Sequence, residues 1–506
     1  MKKEQVARHF DSLAEERDDW KRKNWYYYSA LEDLCASIIP EGKSVLEIGC
    51  GTGDLLAAVK PDRGVGIDLS QRMVEVARRK YPQYTFIQGD AEQLSLSEKF
   101  DYVIMSDLLS YLEDIWLAFQ ELRKVCHPET RIVITIYNFI WQPVMQMAET
   151  LRLRMSQPGD ENWLSLADVE NLLFLTDFQV ETSGSSLLLP KKVPLISKWA
   201  NGYLSKLSVF QGLCLIQHVV ARPAMQIHGN KELSCSVIIP CRNEVGNIEG
   251  CIERTPDMGK CTEIIFVDGN STDGTKEKIE EMIEKYRGEK DIKLILQVPP
   301  LDDGIDNAAL QRHSPAEMLS LGKGDAVRKG FDAASGNVLM ILDADLTVPP
   351  EDLPKFYLPL AQGKAEFING SRLVYPLEGE AMRSANLFGN KVFSLIFTWL
   401  LGQRIKDTLC GTKVLLKKDY EKIKMGRSYF GEFDPFGDFD LLFGAARLGL
   451  KIVEVPVRYR RRTAGESKVR VIKHGWLLAR MSLIGFHKFK LIGWMQKLKG
   501  LLGSKP

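Results

Sequence analysis

Short apolar runs alternate with amphipathic segments along most of this chain. In the first half, such runs occupy Ser44–Ile48, Gly64–Ile67, Arg131–Tyr137 and Phe178–Thr182. Runs of this kind, rich in branched side chains and separated by segments of helical periodicity, are typical of strands in a parallel sheet. The pattern therefore predicts an α/β domain in which helices cover a central sheet.

The same alternation resumes in the second half, after a break in periodicity. Arg222–Lys231 contains one proline, one glycine and no clear period, which predicts a linker. Runs at Ser234–Ile239, Thr262–Val267 and Val338–Leu342 then predict the strands of a second parallel sheet. The predicted organisation is one domain at residues 1–228, another at 232–474 and a basic amphipathic tail at 475–506.

Charge is balanced over the whole chain but not along it. The net charge is +1, which by itself indicates no polyanionic partner. From Lys451 to Pro506, however, there are 14 Lys and Arg against 2 Asp and Glu. Basic and apolar clusters alternate there, which favours peripheral contact with the anionic cytoplasmic face of a membrane. A basic helix packed on the domain is the alternative, and the segment lacks the motifs of nucleic-acid binders.

Cysteine spacing and hydropathy indicate the compartment. The nine cysteines include no CxxC pair, which favours a reduced, cytoplasmic protein over a disulfide framework or a zinc site. The first residues are too charged for a signal peptide. The longest apolar run, Val392–Leu401, is too short to cross a bilayer.

Glycines follow the first predicted strand at alternate positions. Gly49, Gly51 and Gly53 separate Ser44–Ile48 from a helix, and glycines in such a loop let a ligand approach the backbone closely. Asp68 lies 19 residues after Gly49, at the end of the second strand, where an acidic residue can hold a ribose diol. The GxGxG spacing, rather than GxGxxG, argues against a dinucleotide ligand.

VLEIGCGTG followed by GIDLS resembles the class I S-adenosylmethionine-dependent methyltransferases, and FIQGD with FDYVIMSDLLSYLED continues the resemblance. The resemblance implies a seventh strand, at Leu213–Ala221, that pairs antiparallel at the edge of the sheet. Tyr111 stands where many relatives carry His. The cofactor pocket implied by the resemblance is lined by Glu47, Gly49, Gly51, Gly53, Asp68, Asp90 and Ala91.

Two carboxylates follow the predicted strand Val338–Leu342. On an extended chain, Asp343 and Asp345 would point to the same side of the backbone. Two like charges so close favour a divalent cation between them, and Mg²⁺ or Mn²⁺ prefers such hard oxygen ligands. A cation there could neutralise a departing diphosphate. A turn at the end of a strand is the alternative interpretation.

SVIIPCRNE, IIFVDGNSTDGT, GKGDAVRKG, LDADLTVPPEDLP, NGSR, DTLCG, GDFDLL and RTAGESK follow one another in order. This order resembles family 2 glycosyltransferases, in particular dolichyl-phosphate mannose synthases, and implies a GT-A type nucleotide-sugar-binding domain. Gly269 and Thr412-Lys413 depart from the usual motifs, and residues 298–321 form a long insertion, a surface loop or a lid. The substrate-binding residues implied are Pro240, Asn243, Glu244, Asp268, Lys323, Arg372, Arg462, Ser467 and Lys468.

A further acidic residue, Asp440, matches a position that the resemblance gives to catalysis, where it would orient or deprotonate the acceptor. It can equally be an acidic residue near a helix N-terminus, where the dipole favours it. Asp343 and Asp345 would act with it, by holding the cation and the donor diphosphate. Leu187–Val209, in the first domain, alternates basic and apolar residues and fits either a substrate cover or a lipid-facing surface.

The sequence therefore predicts a fusion of two enzymes. One half would transfer methyl groups from S-adenosylmethionine, and the other would transfer a sugar from a GDP- or UDP-linked donor to a polyprenyl or dolichyl phosphate, with inversion. Two alternatives stay open. The first half can be a regulatory module that binds S-adenosylmethionine without turnover, or the sugar acceptor can be soluble or part of the cell wall.

Overall fold

The computed structural model describes residues 3–159, 161–194, 196–224, 232–297, 322–375, 384–427, 438–460 and 479–491. The chain divides into two compact units, Met1–Ile227 and His228–Pro506. Each unit contains one seven-stranded sheet with helices packed against it, so the predicted class of two α/β domains is confirmed. Arg462, Ser467, Lys468, the insertion 298–321 and most of the tail 475–506 lie outside the described residues.

The first unit is built on a mostly parallel sheet in the order β3-β2-β1-β4-β5-β7-β6. Its strands are β1 Ser44–Ile48, β2 Arg63–Asp68, β3 Thr85–Gln88, β4 Phe100–Ser106, β5 Cys126–Tyr137, β6 Phe178–Ser186 and β7 Ile216–Pro223. Its helices are α1 Lys3–Leu13, α2 Arg17–Lys23, α3 Trp25–Ile38, α4 Asp54–Ala58, α5 Gln71–Lys80, α6 Ile115–Leu122, α7 Gln142–Thr150, α8 Leu166–Leu175, α9 Ile196–Gly202 and α10 Ser208–Gln211.

The seventh strand is antiparallel, as predicted, but its predicted place at the edge of the sheet is wrong. β7 lies between β5 and β6 and pairs antiparallel with both. Its apolar run is buried, whereas β6 is largely polar and exposed along its length. An apolar strand is stabilised by neighbours on both sides, and a polar strand tolerates the edge. Arg222 and Pro223, assigned to the linker, belong to β7.

The second unit contains a mixed sheet in the order β10-β9-β8-β11-β13-β12-β14. Its strands are β8 Cys235–Cys241, β9 Thr262–Asp268, β10 Asp291–Leu296, β11 Val338–Ile341, β12 Phe367–Ser371, β13 Lys413–Leu416 and β14 Ile452–Pro456. Its helices are α11 Ile248–Glu253, α12 Thr275–Lys285, α13 Lys323–Ala333, α14 Leu353–Ala361, α15 Ser384–Leu401, α16 Lys417–Met425 and α17 Asp438–Arg447.

In the second unit, strand direction determines at which edge of the sheet ligands can bind. β10, β9, β8 and β11 are parallel, so their carboxyl ends share one edge of the sheet. β13 runs antiparallel between β11 and β12. The core beneath this edge contains Ile238, Ile265 and Phe331, all fully buried. The parallel half of the sheet therefore gathers the loops after β8, β9 and β11, where ligands bind in such folds.

All nine cysteines lie within the described residues, and all are free thiols. Eight are buried, and only Cys261, just before β9, is exposed. Burial raises the pKa of Cys35 and of Cys126 to about 12 each. In the described part of the chain, no helix combines the length and the hydropathy needed to cross a bilayer.

Candidate active sites

The glycine loop after β1 forms the floor of the first site. The amide of Gly49 donates to the carbonyl of Ile67 at 2.7 Å. Gly51, with φ of 51°, donates its amide to Asp68 Oδ2 at 2.8 Å. A Cβ at Gly51 would meet no atom within 4 Å, so this backbone borders open space. The positive φ and the open side together explain why glycine is present at this position.

Two carboxylates flank this loop, the half-buried Asp68 and the buried Glu47. Asp68 Oδ1 accepts a hydrogen bond from the amide of Ser70 at 2.9 Å, and burial raises the pKa of this carboxyl. Glu47 is 3% exposed, and its Oε2 accepts from the amide of Leu56 at 3.0 Å. Burial raises the pKa of Glu47 to about 8. The wall of the site therefore holds carboxyl groups ready to accept hydrogen bonds or to face a positive charge.

A cavity of about 420 Å³ brings most of the predicted residues together. Its wall includes Glu47, Gly49, Gly51, Asp68, Asp90 and Ala91. Gly53 is not part of the wall, and a Cβ at this position would lie 2.8 Å from the ring of Phe86. Gly53 therefore serves packing and the turn into α4, with φ of 82°.

Asp90 is engaged by a residue that sequence reasoning missed. Lys3 Nζ, at the start of α1, lies 2.6 Å from Asp90 Oδ2 and 3.0 Å from Glu92 Oε2. Asp90 Oδ1 accepts from the amide of Glu92 at 2.9 Å. The N-terminal helix α1 therefore contacts one end of the cavity through an ion pair.

A second missed group is the carboxylate of Asp107, just after β4. Tyr27 donates its hydroxyl to Asp107 Oδ2 at 2.5 Å, and Thr135 Oγ1 donates to Oδ1 at 3.2 Å. Burial raises the pKa of Asp107, and its φ of 52° is unusual for a residue other than glycine. Sequence reasoning could have found Asp107, because this residue follows β4. β4 neighbours β1, and the carboxyl ends of parallel strands share one edge of the sheet.

Arg17, also missed, adds a cation to this cavity wall. Its Nη1 donates to Met155 Sδ at 3.5 Å, and its guanidinium carbon lies 5.8 Å from the centre of the Tyr28 ring. Arg154 also lines the cavity and forms a bidentate pair with Glu161 at 2.7 and 3.0 Å. The cavity thus combines carboxylates, tyrosines and guanidinium groups.

The second site begins with two loops that are hydrogen-bonded together. Asn243, with φ of 53°, accepts from the amide of Thr272 at 2.8 Å and donates its own amide to Ser271 Oγ at 2.9 Å. The amide of Glu244 donates to Thr275 Oγ1 at 2.9 Å. The loops after β8 and β9 therefore form one structure, which contains the predicted residues Asn243 and Glu244.

Asp268 ends β9 at the base of these loops. It is 2% exposed and accepts from the hydroxyl of Ser271 and from its amide. Pro240, in β8, pairs with Val267. The carboxylate of Glu244 accepts from Asn247 Nδ2 at 2.8 Å. Both acidic side chains therefore have local hydrogen-bond partners that fix the loop.

The Asp343–Asp345 segment differs from the extended chain that the sequence suggested. β11 ends at Ile341, and the amide of Leu346 donates to the carbonyl of Asp343 at 3.3 Å to close a turn. Leu346 has φ of 54°. The prediction that both carboxylates project from one side of an extended strand is wrong, because the strand ends before Asp343. The turn still places both residues at the carboxyl end of β11, next to β8.

Asp343 is surrounded by cations. Lys323 Nζ lies 2.5 Å from Asp343 Oδ1. Burial opposes ionisation of Asp343, but Lys323, Arg372 and Lys413 outweigh it and lower the pKa of this carboxyl. Asp345 is 9% exposed, and its Oδ1 accepts from the hydroxyl and the amide of Thr347 at 2.7 and 3.1 Å. The concentration of positive charge around Asp343 suits a polyanionic ligand.

Arg372 already has a strong partner. It forms two parallel hydrogen bonds with Asp407, at 2.7 and 2.8 Å, and Asp407 is fully buried. Glu454, 8% exposed, accepts from the amides of Lys406 and Asp407, and burial raises its pKa to about 7. Asp407 and Glu454 were not predicted, although Asp407 opens the DTLCG motif. They hold Arg372 in position.

Asp440 lies in α17 and is 9% exposed. Its Oδ2 accepts from Arg427 Nε at 2.6 Å. A structural role for Asp440, the alternative to catalysis, is therefore supported by its ion pair with Arg427. Its catalytic role stays a prediction.

The comparisons with known proteins agree with this division. Residues 45–129 match the family described as methyltransferase domain. Residues 236–298 and 320–423 match glycosyl transferase family 2. The chain joins a methyltransferase domain to a family 2 glycosyltransferase domain.

Relatives of both domains are known. The dolichol-phosphate mannosyltransferase of Pyrococcus furiosus is 31% identical over 250 residues, covering 47% of this chain and 60% of that protein. The undecaprenyl-phosphate 4-deoxy-4-formamido-L-arabinose transferase of Pectobacterium carotovorum is 28% identical over 249 residues, covering 47% and 63%. The dTDP-3-amino-3,4,6-trideoxy-alpha-D-glucopyranose N,N-dimethyltransferase of Streptomyces venezuelae is 36% identical over 88 residues, covering 17% and 37%. The chain thus spans less than two thirds of each.

The glycosyltransferase domain offers a limited donor set for a metal. Among the residues that the structure describes, no three His, Cys, Asp or Glu side chains cluster as a metal site. Mg²⁺, however, is commonly bound by one or two carboxylates together with substrate phosphates. Asp343 and Asp345 are hard oxygen donors at one strand end and fit that arrangement. The donor diphosphate would complete the coordination.

Gly411 of the glycosyltransferase domain packs against the Asp343–Lys323 pair. A Cβ at Gly411 would lie 2.2 Å from Asp343 Oδ2 and 2.5 Å from Lys323 Nζ. We therefore expect Gly411→Ala to displace the carboxylate and to lower sugar transfer about tenfold or more, since small misplacements in active sites are costly. Gly426→Ala is the control, because its Cβ would come no closer than 3.1 Å to any atom, the nearest being Arg447 Nη1 at the end of a flexible side chain. Initial rates of both variants test this, and equal rates would contradict it.

The buried Glu47 of the methyltransferase domain predicts a pH dependence. Its pKa is about 8 in the fold, whereas an unfolded glutamate titrates at about 4.3. Between these values the folded protein keeps a proton that the unfolded chain releases, so stability should fall as pH rises from about 4.5 to 8 and level off above. Glu47→Gln, which can still accept from Leu56, should flatten this decline. Melting temperature against pH measures it, with the exposed Glu75→Gln as control.

Proposed function

We propose that this chain is a bifunctional enzyme that transfers methyl groups from S-adenosylmethionine and sugars from a nucleotide donor. The sugar acceptor would be a polyprenyl or dolichyl phosphate, a class that the names of two relatives give for those proteins. The domains would be residues 1–228 and 232–474, with the tail 475–506 holding the protein peripherally on the cytoplasmic face of a membrane. The observation that carries the glycosyl-transfer proposal is the half-buried Asp343–Lys323 ion pair at the carboxyl end of β11.

In the glycosyltransferase domain, the donor would lie over the loops after β8 and β9. Pro240, Asn243, Glu244 and Asp268 shape that surface for the GDP or UDP portion. Lys323 would exchange Asp343 for a phosphate oxygen of the donor, since an ammonium binds phosphate well. A Mg²⁺ or Mn²⁺ ion held by Asp343 and Asp345 would supply neutralising charge for the diphosphate.

The sugar acceptor needs little activation. A phosphate monoester is already ionised at neutral pH, so no strong base is required to activate it. Asp440, held by Arg427, is proposed to orient the acceptor. Arg372, fixed by Asp407, is proposed to contact phosphates. Arg462, Ser467 and Lys468, outside the described residues, are proposed to do the same, because guanidinium, ammonium and hydroxyl groups all donate hydrogen bonds to phosphate.

In the methyltransferase domain, S-adenosylmethionine supplies a methyl group on a positively charged sulfur. Asp68 is proposed to accept from the ribose hydroxyls with the lone pairs left after its contacts to Gly51 and Ser70. Asp90 and Ala91 would line the adenine end. Asp107, half-buried beside Tyr27, has a raised pKa and is proposed to receive the acceptor's proton.

The test uses the full chain with cell membranes, labelled S-adenosylmethionine and a panel of GDP- and UDP-sugars. We expect mass analysis to find one hexose added to a polyprenyl phosphate, and methyl label in a separate or shared product. Binding of S-adenosylmethionine without any methylated product would overturn methyl transfer and favour the regulatory module. Sugar transfer only to water-soluble acceptors would overturn the lipid assignment.

A further inference from the structure

The methyltransferase domain exposes its large apolar side chains on one face. Among the described residues, 16 large apolar side chains of this unit are exposed. Of these, 14 are Trp25, six residues between 139 and 153, and seven residues between 193 and 213. We call this set the apolar–basic face. Scattered exposed apolar residues are normal in soluble proteins, but a concentration of this size marks a binding surface.

Contacts show that the segments of this face adjoin one another. Trp141 Nε1 donates to the carbonyl of Leu213 at 2.8 Å, which joins the region of α7 to the end of the 193–213 segment. Asn24 Nδ2 donates to the carbonyl of Leu153 at 3.2 Å. Lys192 Nζ lies 5.2 Å from the centre of the Trp25 ring. The face is therefore continuous from α7 through the start of α3 to α9.

The charge on the part of this face that contains α9 has one sign. Between Leu187 and Leu215 there are four lysines and no acidic residue. Lys192 and Lys198 are exposed. Lys198 lies on α9 next to Trp199, which is 57% exposed, and Tyr203, just after the helix, is 71% exposed. Lysines interleaved with aromatic and aliphatic side chains suit an anionic bilayer interface. Protein–protein interfaces, in contrast, are depleted in lysine.

The cavity of the methyltransferase domain opens on the same face. Val144, Met147 and Leu151 line the cavity, yet they are 44%, 58% and 60% exposed. Pro190 and Lys191 line it from the facing segment. Side chains that border both the cavity and the outside mark its mouth. A molecule entering the cavity therefore passes between α7 and the lysine-bearing segment.

We infer that the methyltransferase domain lies with its apolar–basic face on an anionic bilayer and takes a lipid-linked methyl acceptor through this mouth. The acceptor heteroatom forms a bond to the methyl carbon while the carbon–sulfur bond breaks. The bonding pair stays on sulfur, which leaves S-adenosylhomocysteine, and the acceptor's proton passes to the carboxylate of Asp107. The identity of the reaction rests on the proposed function. The bilayer contact rests only on the face itself.

Amide hydrogen exchange, measured on the full chain, tests the bilayer contact of each segment separately. The probes are vesicles of phosphatidylcholine with and without phosphatidylglycerol. We expect exchange in residues 139–153 and 191–213 to slow about fivefold or more on the anionic vesicles only. Unchanged exchange in these segments while the protein floats with the vesicles would overturn the inference. Slow exchange without vesicles would do the same, by showing that another copy or the other half of the chain covers the face.

Variants separate the apolar and the charged contributions. Lys192→Glu with Lys198→Glu should remove most of the segment-specific protection, and Lys43→Glu, on an exposed loop before β1, should not. Leu207→Ser, at a site 54% exposed, is compared with Leu117→Ser, at a site 38% exposed outside the face. If the control variant of each pair lost as much protection as the variant on the face, the assignment of this face would be overturned.

Methyl transfer provides the second readout. With membranes and labelled S-adenosylmethionine, we expect the label to partition into the organic extract, and Leu207→Ser to reduce it while calorimetry shows unchanged cofactor binding. Label in water-soluble products alone would overturn the lipid-linked acceptor and leave the proposed methyl transfer intact. Absence of cofactor binding in the unmodified protein would instead overturn the proposed function, with the exchange experiment still deciding the bilayer contact.

Discussion

Replacing Asp345 by Asn is expected to lower sugar transfer about a hundredfold or more and to leave the fold intact. Asp345 Oδ1 accepts from the hydroxyl and the amide of Thr347, and asparagine can accept the same two hydrogen bonds. The substitution therefore removes a negative charge without removing the turn. Fewer anionic ligands would remain for a divalent cation at the leaving diphosphate, so turnover should suffer more than donor binding.

The measurement is kcat and KM for the nucleotide sugar, with Mg²⁺ or Mn²⁺ titrated and then removed by chelator. Asp291→Asn is the matched control, since Asp291 is exposed at the amino end of β10, away from the edge that carries Asp343. We expect sugar transfer by the unmodified protein to stop when chelator is added. Full activity of Asp345→Asn in chelator would refute both the metal assignment and the proposed role of this turn.

Asp68→Ala should weaken S-adenosylmethionine binding by about 2–3 kcal/mol, roughly 30- to 150-fold. The carboxylate of Asp68 contacts the amides of Gly51 and Ser70. It thus holds the glycine loop while its remaining lone pairs are available to hydroxyl groups. Loss of the carboxylate should remove both effects, because the loop amide of Gly51 would lose its acceptor.

Calorimetric titration of the full chain with S-adenosylmethionine measures this effect. Asp62→Ala, at an exposed position just before β2, is the control. Sugar transfer by Asp68→Ala should match the unmodified protein if the two domains act independently. An unchanged dissociation constant would remove Asp68 from the cofactor site, and a parallel loss of sugar transfer would indicate coupling between the domains.

The fold class was accessible from sequence because its signals are local. Buried strands such as β1 and β9 are short apolar runs, and each ends in a polar loop within a few residues. The place of β7 was not accessible in this way. The place of β7 depends on its pairing with β5 and β6, which are distant in sequence. The apolar pattern of β7 would be the same for a strand at the edge of the sheet and for a strand inside it.

The sites were predicted in part for the same reason. Asp68 ends β2 and Asp343 follows shortly after β11, so strand direction alone could assign each residue to the carboxyl edge of its own sheet. The partners that decide their chemistry are distant in sequence. Asp107 meets Tyr27 across 80 positions, and Arg372 meets Asp407 across 35. Such pairs arise from packing, and the sequence pattern around either member does not indicate them.

The distribution of thiols described above makes this chain easy to label. Cys261 is exposed on the glycosyltransferase half, and the other eight cysteines are buried. A maleimide fluorophore should therefore attach at a single position under native conditions, without any cysteine being removed by mutation. A dye at that position would report distance to a labelled vesicle or nucleotide by energy transfer, so the orientation of one half could be followed during turnover of the other.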